Sequence, residues 1–159
     1  MELKKAQAIA EDVVKQLSPH CEKVEVAGSI RRRRPLPNDI DIVLVPKPLM
    51  DYAVHQVLME LGGGKMKMAG KKIARVDLGE IELDVYIATE ETWSTLLLIR
   101  TGSKESNQRL AAEAQRRGWR LAASGGGLFN ENNERIAGDT EASIFKSLGF
   151  RNLEPWERD

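Results

Sequence analysis

Two carboxylates one residue apart, Asp39 and Asp41, open an apolar run, and a glycine-serine step, Gly28-Ser29, stands nine residues upstream of them. In a strand, side chains at i and i+2 point to the same face, so the two carboxylates lie side by side and repel. A pair of Mg²⁺ ions about 4 Å apart would relieve that repulsion and supply the charge that an in-line phosphoryl displacement needs. An Asp-x-Asp pair alone more often marks a solvated strand edge. The upstream step changes the balance: a glycine lets backbone approach phosphate oxygens, the Ser29 hydroxyl can donate to them, and Arg32 adds a planar fork of donors. A third carboxylate is expected from a later strand on which Glu80, Glu82 and Asp84 share one face. Asp84, between Leu83 and Val85, sits deepest in the apolar run.

The elements that must hold these groups follow from periodicity. Leu3, Ala6, Ala10, Val13 and Leu17 recur at helical spacing until Ser18-Pro19 stops the helix. Val24 and Val26 alternate with charged residues, and Ile40, Ile42, Val43, Leu44 and Val45 make a dense β-branched run closed by Pro46, which predicts two neighbouring strands. Between them, Arg31 to Asn38 has loop chemistry. Val54, Val57, Leu58 and Leu61 form a second helical stripe ending at Gly62-Gly63-Gly64. Met66 to Ile87 alternates as an antiparallel meander broken at Gly70 and Gly79. From Trp93 the pattern is helical again, interrupted at Thr101-Gly102 before Ser103 caps another helix. A small hairpin over Trp119 to Arg135 and a last helix capped by Asp139-Thr140 complete the chain.

Composition narrows the field. Lys plus Arg (24) equals Asp plus Glu (24), so the 159-residue chain is not a general polycation, although Arg31–Arg34, Lys65–Arg75 and Arg109–Arg120 form local basic patches. Cys21 is the single cysteine, which excludes an intramolecular disulfide and suits a reduced, cytoplasmic setting. No run of about eighteen apolar residues occurs, and no signal peptide or membrane span is expected. Gly62-Gly63-Gly64-Lys65 lacks the remaining residues of a phosphate loop and reads as a helix stop, while His20 and His55 have no ligand-spaced partners. The three tryptophans read as core or lobe-interface residues.

Val26-Ala27-Gly28-Ser29-Ile30-Arg31-Arg32, Asp39-Ile40-Asp41-Ile42-Val43 and Leu83-Asp84-Val85 resemble the palm motifs of family X DNA polymerases, the group that includes DNA polymerase beta. Thr101-Gly102-Ser103, followed by Asn107, resembles that family's turn and nucleotide-binding helix; Leu148-Gly149 and Glu154-Pro155-Trp156-Glu157 resemble the end of the same lobe. The resemblance implies an α+β fold: a nucleotidyltransferase palm at 1–92 with a mixed β-sheet flanked by helices, and a small α/β thumb-like lobe at 93–159. It implies a DNA polymerase that adds dNMP to a primer 3′-hydroxyl in gap-filling repair, acting as a monomer on gapped or primer-template DNA with a deoxynucleoside triphosphate.

Asp39, Asp41 and Asp84 would then be the catalytic and metal residues, holding two Mg²⁺ ions, with Mn²⁺ a substitute. Gly28, Ser29, Arg32 and Asn38 would hold the triphosphate, Thr101, Gly102 and Ser103 would floor the sugar, and an Asn107 donor would test base-pair geometry from the minor-groove side. Lys104, Arg109, Arg116 and Arg117 would face DNA.

The chain departs from the family pattern in three places. Ile99-Arg100 replaces a Tyr-Phe pair, Asn38 replaces a glycine, and Ala111 stands where the family often has an arginine, with Arg109 nearby but out of phase. The Asn38 change bears on one phosphate contact. The other two leave sugar discrimination and fidelity open, and they favour template-independent tailing of DNA or RNA as the second reading; a non-catalytic DNA-binding module is the third. With no lyase segment ahead of the palm motifs, removal of a 5′-deoxyribose phosphate is not expected.

Overall fold

A computed structural model describes all residues, 1–159. Helix α1 (Leu3–Leu17) buries Ala6, Ala10, Val13 and Leu17, the stripe that its spacing predicts, and a short 3-10 turn at Ser18–His20 follows the proline stop. Strands β1 (Cys21–Val26) and β2 (Asp39–Pro46) pair antiparallel. Between them lies a four-residue helix, α2 (Gly28–Arg31), which is too short to leave a periodicity in the sequence. Helix α3 (Asp51–Leu61) then leads to β3 (Met68–Ala69), β4 (Ile73–Asp77) and β5 (Glu82–Ile87).

The five strands form one sheet in the order β1-β2-β5-β4-β3. The expected meander holds for β3, β4 and β5, but β5 inserts beside β2 and runs parallel to it, which makes the sheet mixed. In that parallel register Asp39 faces Glu82 and Asp41 faces Asp84. Glu80 is not on the strand: it lies in the preceding turn and pairs with Lys5 at 2.9 Å.

One face of the sheet, carrying Ile40, Ile42, Leu44, Leu83 and Val85, packs against α1 and α3. The other face carries Val43, Val45, Tyr86 and Ala88 and meets Leu96 and Leu97 of helix α4 (Trp93–Thr101). Cover on both faces explains why residues 42 to 45 read as a continuous apolar run rather than an alternating one. The remaining elements are α5 (Lys104–Arg116), a small antiparallel sheet of β6 (Arg120–Ala122), β7 (Gly127–Phe129) and β8 (Arg135–Ala137), and α6 (Glu141–Ser147). They enclose a separate apolar cluster centred on Leu98, Leu110, Leu128, Ile144 and Phe145. The hairpin expected over Trp119 to Arg135 is therefore a three-stranded sheet, because Arg135–Ala137 adds a strand against β7.

An ion network fastens the region after Trp93 to the first sheet. Arg31 of α2 donates to both Glu141 oxygens at 3.1 and 2.8 Å and to the Thr101 hydroxyl at 2.8 Å. Arg158, only 3% exposed, donates to the same Glu141 at 2.6 Å. Removing one partner of a buried pair strands the other charge. Glu141→Ala is therefore expected to lower unfolding free energy by about 3 kcal/mol in a denaturant titration, and a loss under about 1 kcal/mol, the range of surface pairs, would show that this network fastens nothing.

Candidate active site

The carboxylates owe their position to the sheet. Asp39 and Asp41 share a face at the start of β2, and the parallel register sets Asp84 of β5 beside Asp41 on that face. Burial raises the Asp41 carboxyl to about 7, with the nearby charges of Asp39 and Asp84 and a hydrogen bond to Asp39 adding to the effect and Arg100 partly opposing it. Gly28 makes room for this arrangement. Its φ is +60°, and a Cβ placed there would stand 2.1 Å from Asp41 Oδ2, so any side chain would expel the carboxylate. The backbone of the same step is tied to β2 by the Ala27 N–H, which donates to the Asp41 carbonyl at 2.7 Å.

These groups open onto a cavity of about 740 Å³ between the sheet and α4–α5. Gly28, Ser29, Arg32, Asn38, Asp39 and Asp41 line one wall; Thr101, Gly102, Lys104 and Asn107 line the other. Arg32 crosses between them, donating from Nη1 to the Thr101 carbonyl at 2.5 Å, while its buried Nε has no partner. Gly102, at φ +75°, lies under that guanidinium, where a Cβ would come within 3.0 Å of Nη1. Arg100 stacks over the Tyr86 ring at 4.2 Å and also has a buried Nε without a partner. Orphaned donors beside a polar cavity suit an anionic ligand.

Other sequence-selected residues are committed elsewhere. Asp84 is not part of the cavity wall: its Oδ1 accepts from Arg75 Nε at 2.7 Å. Consequently no three acidic side chains converge on one point as they stand, although all three catalytic candidates occupy one face. The donor set fits divalent cations chemically, because its members are all carboxylates and one is pushed up by burial and, to a lesser degree, by the charges of the others.

Ser103 is the buried N-cap of α5 and accepts from the Ser106 N–H, a structural task. Asn107 spends a donor on the Ile99 carbonyl at 2.8 Å, so the side chain expected to probe a base also pins the α4–α5 turn. Arg116 and Arg117 both bond Glu113, and Arg117 further donates to the Ser147 and Leu148 carbonyls. Arg109 bonds the Asp159 main-chain oxygen, whereas Lys104 remains exposed at the cavity edge. Sequence reasoning passed over Gln108 and Leu121, which also line the cavity, because neither belongs to a spaced motif; Arg34, counted there with a basic patch, and Arg100, noted as a departure from the family pattern, line it too. Burial pushes the Cys21 thiol up to about 11, which keeps it unreactive.

A mixed five-stranded sheet flanked by helices, followed by a small α/β unit, is the α+β architecture expected of a polymerase beta-like palm and thumb. A family model described as the DNA polymerase beta thumb matches residues 96–159. The chain is 32% identical over 157 residues to the DNA polymerase/3′-5′ exonuclease PolX of Bacillus subtilis (strain 168), covering 95% of this chain and 27% of that protein. It is 34% identical over 80 residues to the DNA nucleotidylexotransferase of Xenopus laevis, covering 50% of this chain and 16% of that one. The chain thus spans less than a third of the length of these relatives. Together these likenesses support a family X polymerase-like protein.

The crowded carboxylates carry a stability signature. Asp41 has a higher pKa folded than unfolded, so its contribution is full below about pH 4 and is lost as pH rises through about 7. Without divalent ions at pH 8, Asp41→Asn is expected to melt higher than the wild type, by an amount equivalent to at most about 4 kcal/mol. The difference should vanish near pH 3. A wild type more stable than the variant at pH 8 would contradict the raised Asp41 carboxyl.

Proposed function

We propose that the chain is a template-directed DNA polymerase that adds dNMP to a primer 3′-hydroxyl, with a palm at 1–92 and a thumb-like, nucleotide-selecting lobe at 93–159. The observation that carries this reading is the shared cavity, with Ser29, Arg32, Asp39 and Asp41 on one wall and Thr101, Gly102 and Asn107 on the other. Ser29 and Arg32 hold the triphosphate, and Arg32 exchanges its Thr101 carbonyl for phosphate oxygens, which are stronger acceptors. Thr101 and Gly102 offer a flat floor for the sugar. Asn107 retains one amide hydrogen for the minor-groove edge, where each base presents an acceptor.

Asp39 and Asp41, with Asp84 as third carboxylate, would hold two Mg²⁺ ions, which supply charge neutralisation at the reacting phosphoryl group and activate the attacking oxygen. Asp84, enclosed beside the 3′-hydroxyl, accepts its proton. DNA lies along Lys104 and the adjoining face of α5, and the protein works as a monomer. No helix of the chain is long and apolar enough to cross a membrane.

A second reading, template-independent tailing, is favoured by Ala111 and Arg100, which line the cavity where a template-reaching arginine and an aromatic residue would be expected. Extension of a gapped primer with each single nucleotide, in deoxy and ribo forms, separates the two. Addition that follows the template base supports the polymerase; addition indifferent to it supports tailing. Asp39→Asn and Asp84→Asn are each expected to lower turnover by about 10³-fold or more while DNA affinity persists. Turnover within a few-fold of the wild type in either variant would exclude both enzymatic readings.

A further inference from the structure

Arg75 of β4 is the cross-strand neighbour of Asp84. Its Nε donates to Asp84 Oδ1 at 2.7 Å and lies 3.2 Å from Glu82 Oε1, while Lys67 Nζ holds the other Glu82 oxygen at 2.6 Å. A line of alternating charge therefore runs inward from the edge of the sheet: Lys67, Glu82, Arg75, Asp84. The Asp84 side chain is 9% exposed and that of Arg75 is 38% exposed, so the guanidinium reaches solvent at one end and the carboxylate group at the other.

We propose that Arg75 is a positioning residue for Asp84 and the built-in counter-cation of the three-carboxylate face, which a divalent ion must displace or share. The inference rests on the reading of Asp84 as a metal-holding carboxylate. With Oδ1 taken by Arg75, Oδ2 is the oxygen left for an ion. A guanidinium and a divalent cation around one carboxylate repel, so Arg75 weakens ion binding. The same bond fixes the orientation of Asp84, so Arg75 supports turnover. Its loss therefore moves the two quantities in opposite directions, whereas loss of an ion pair that merely stabilises the sheet would not tighten ion binding.

The test is Mn²⁺ binding to the full chain, followed by electron paramagnetic resonance without nucleotide or DNA, together with primer extension. Arg75→Ala is expected to bind Mn²⁺ about 15-fold more tightly, the effect of removing one unit charge about 5 Å from a divalent ion in a water-like dielectric. Its turnover should fall about 10- to 100-fold, as when a supporting partner of a metal ligand is lost. Lys72→Ala, which removes a charge without touching Asp84, should change neither quantity.

Equal or weaker Mn²⁺ binding by Arg75→Ala overturns the proposal, as does unchanged turnover. Should that variant fail to fold, Arg75→Gln, which keeps a donor but not the charge, decides the matter: tighter Mn²⁺ binding upholds the proposal and equal or weaker binding overturns it. A wild type that extends no primer would sink the polymerase reading, while the Mn²⁺ comparison would still judge the role of Arg75.

Discussion

Three carboxylates forced onto one face of a sheet are the constraint around which this molecule is organised. The parallel pairing of β2 with β5 puts Asp41 beside Asp84, and the pleat puts Asp39 on the same side. Left alone, such a group repels itself, and that repulsion adds to the burial that raises the Asp41 carboxyl. The fold tolerates it through opposing charges at close range: Arg75 on Asp84, and Arg100 acting on Asp41 from α4. Gly28 keeps the space beside Asp41 free of a side chain. Divalent cations, in the function proposed above, would neutralise this face.

The adjoining arginines that end and cap α2 divide two tasks. Arg31 is drawn into the buried network with Glu141 and Arg158, which fastens α2 to α6. Arg32, one residue on, faces the cavity and rests against the Thr101 carbonyl. Consecutive side chains on so short a helix point in different directions, so one can anchor structure while the next faces a ligand. A ligand that draws Arg32 away from Thr101 acts directly on the turn between α4 and α5, and therefore on Asn107.

Much of this was legible in the amino-acid sequence because burial is periodic. The α1 stripe, the doubly covered β2 run and the alternating face of β5 all followed from apolar spacing, as did the pairing of Asp39 with Asp41 on one side of a strand. Strand order was not legible, since alternation tells which face a residue takes and not which strand lies beside it. Arg75 was counted with a basic patch for that reason: its partner Asp84 is fixed by the β4–β5 register. Helix α2 has too few residues to show a period, and β3 has only two. Ser103 and Arg117 matched residue types that suit ligands, yet local hydrogen bonds use them to cap α5 and to tether the end of α6.

The most direct measurement is the anomalous scattering of Mn²⁺ in crystals of the protein grown with a non-hydrolysable deoxynucleoside triphosphate. The account predicts two peaks against Asp39 and Asp41, one of them also within bonding distance of Asp84, with the phosphates lying toward Ser29 and Arg32. Peaks confined to other surfaces, or a triphosphate bound away from the Gly28-Ser29 corner, would contradict it.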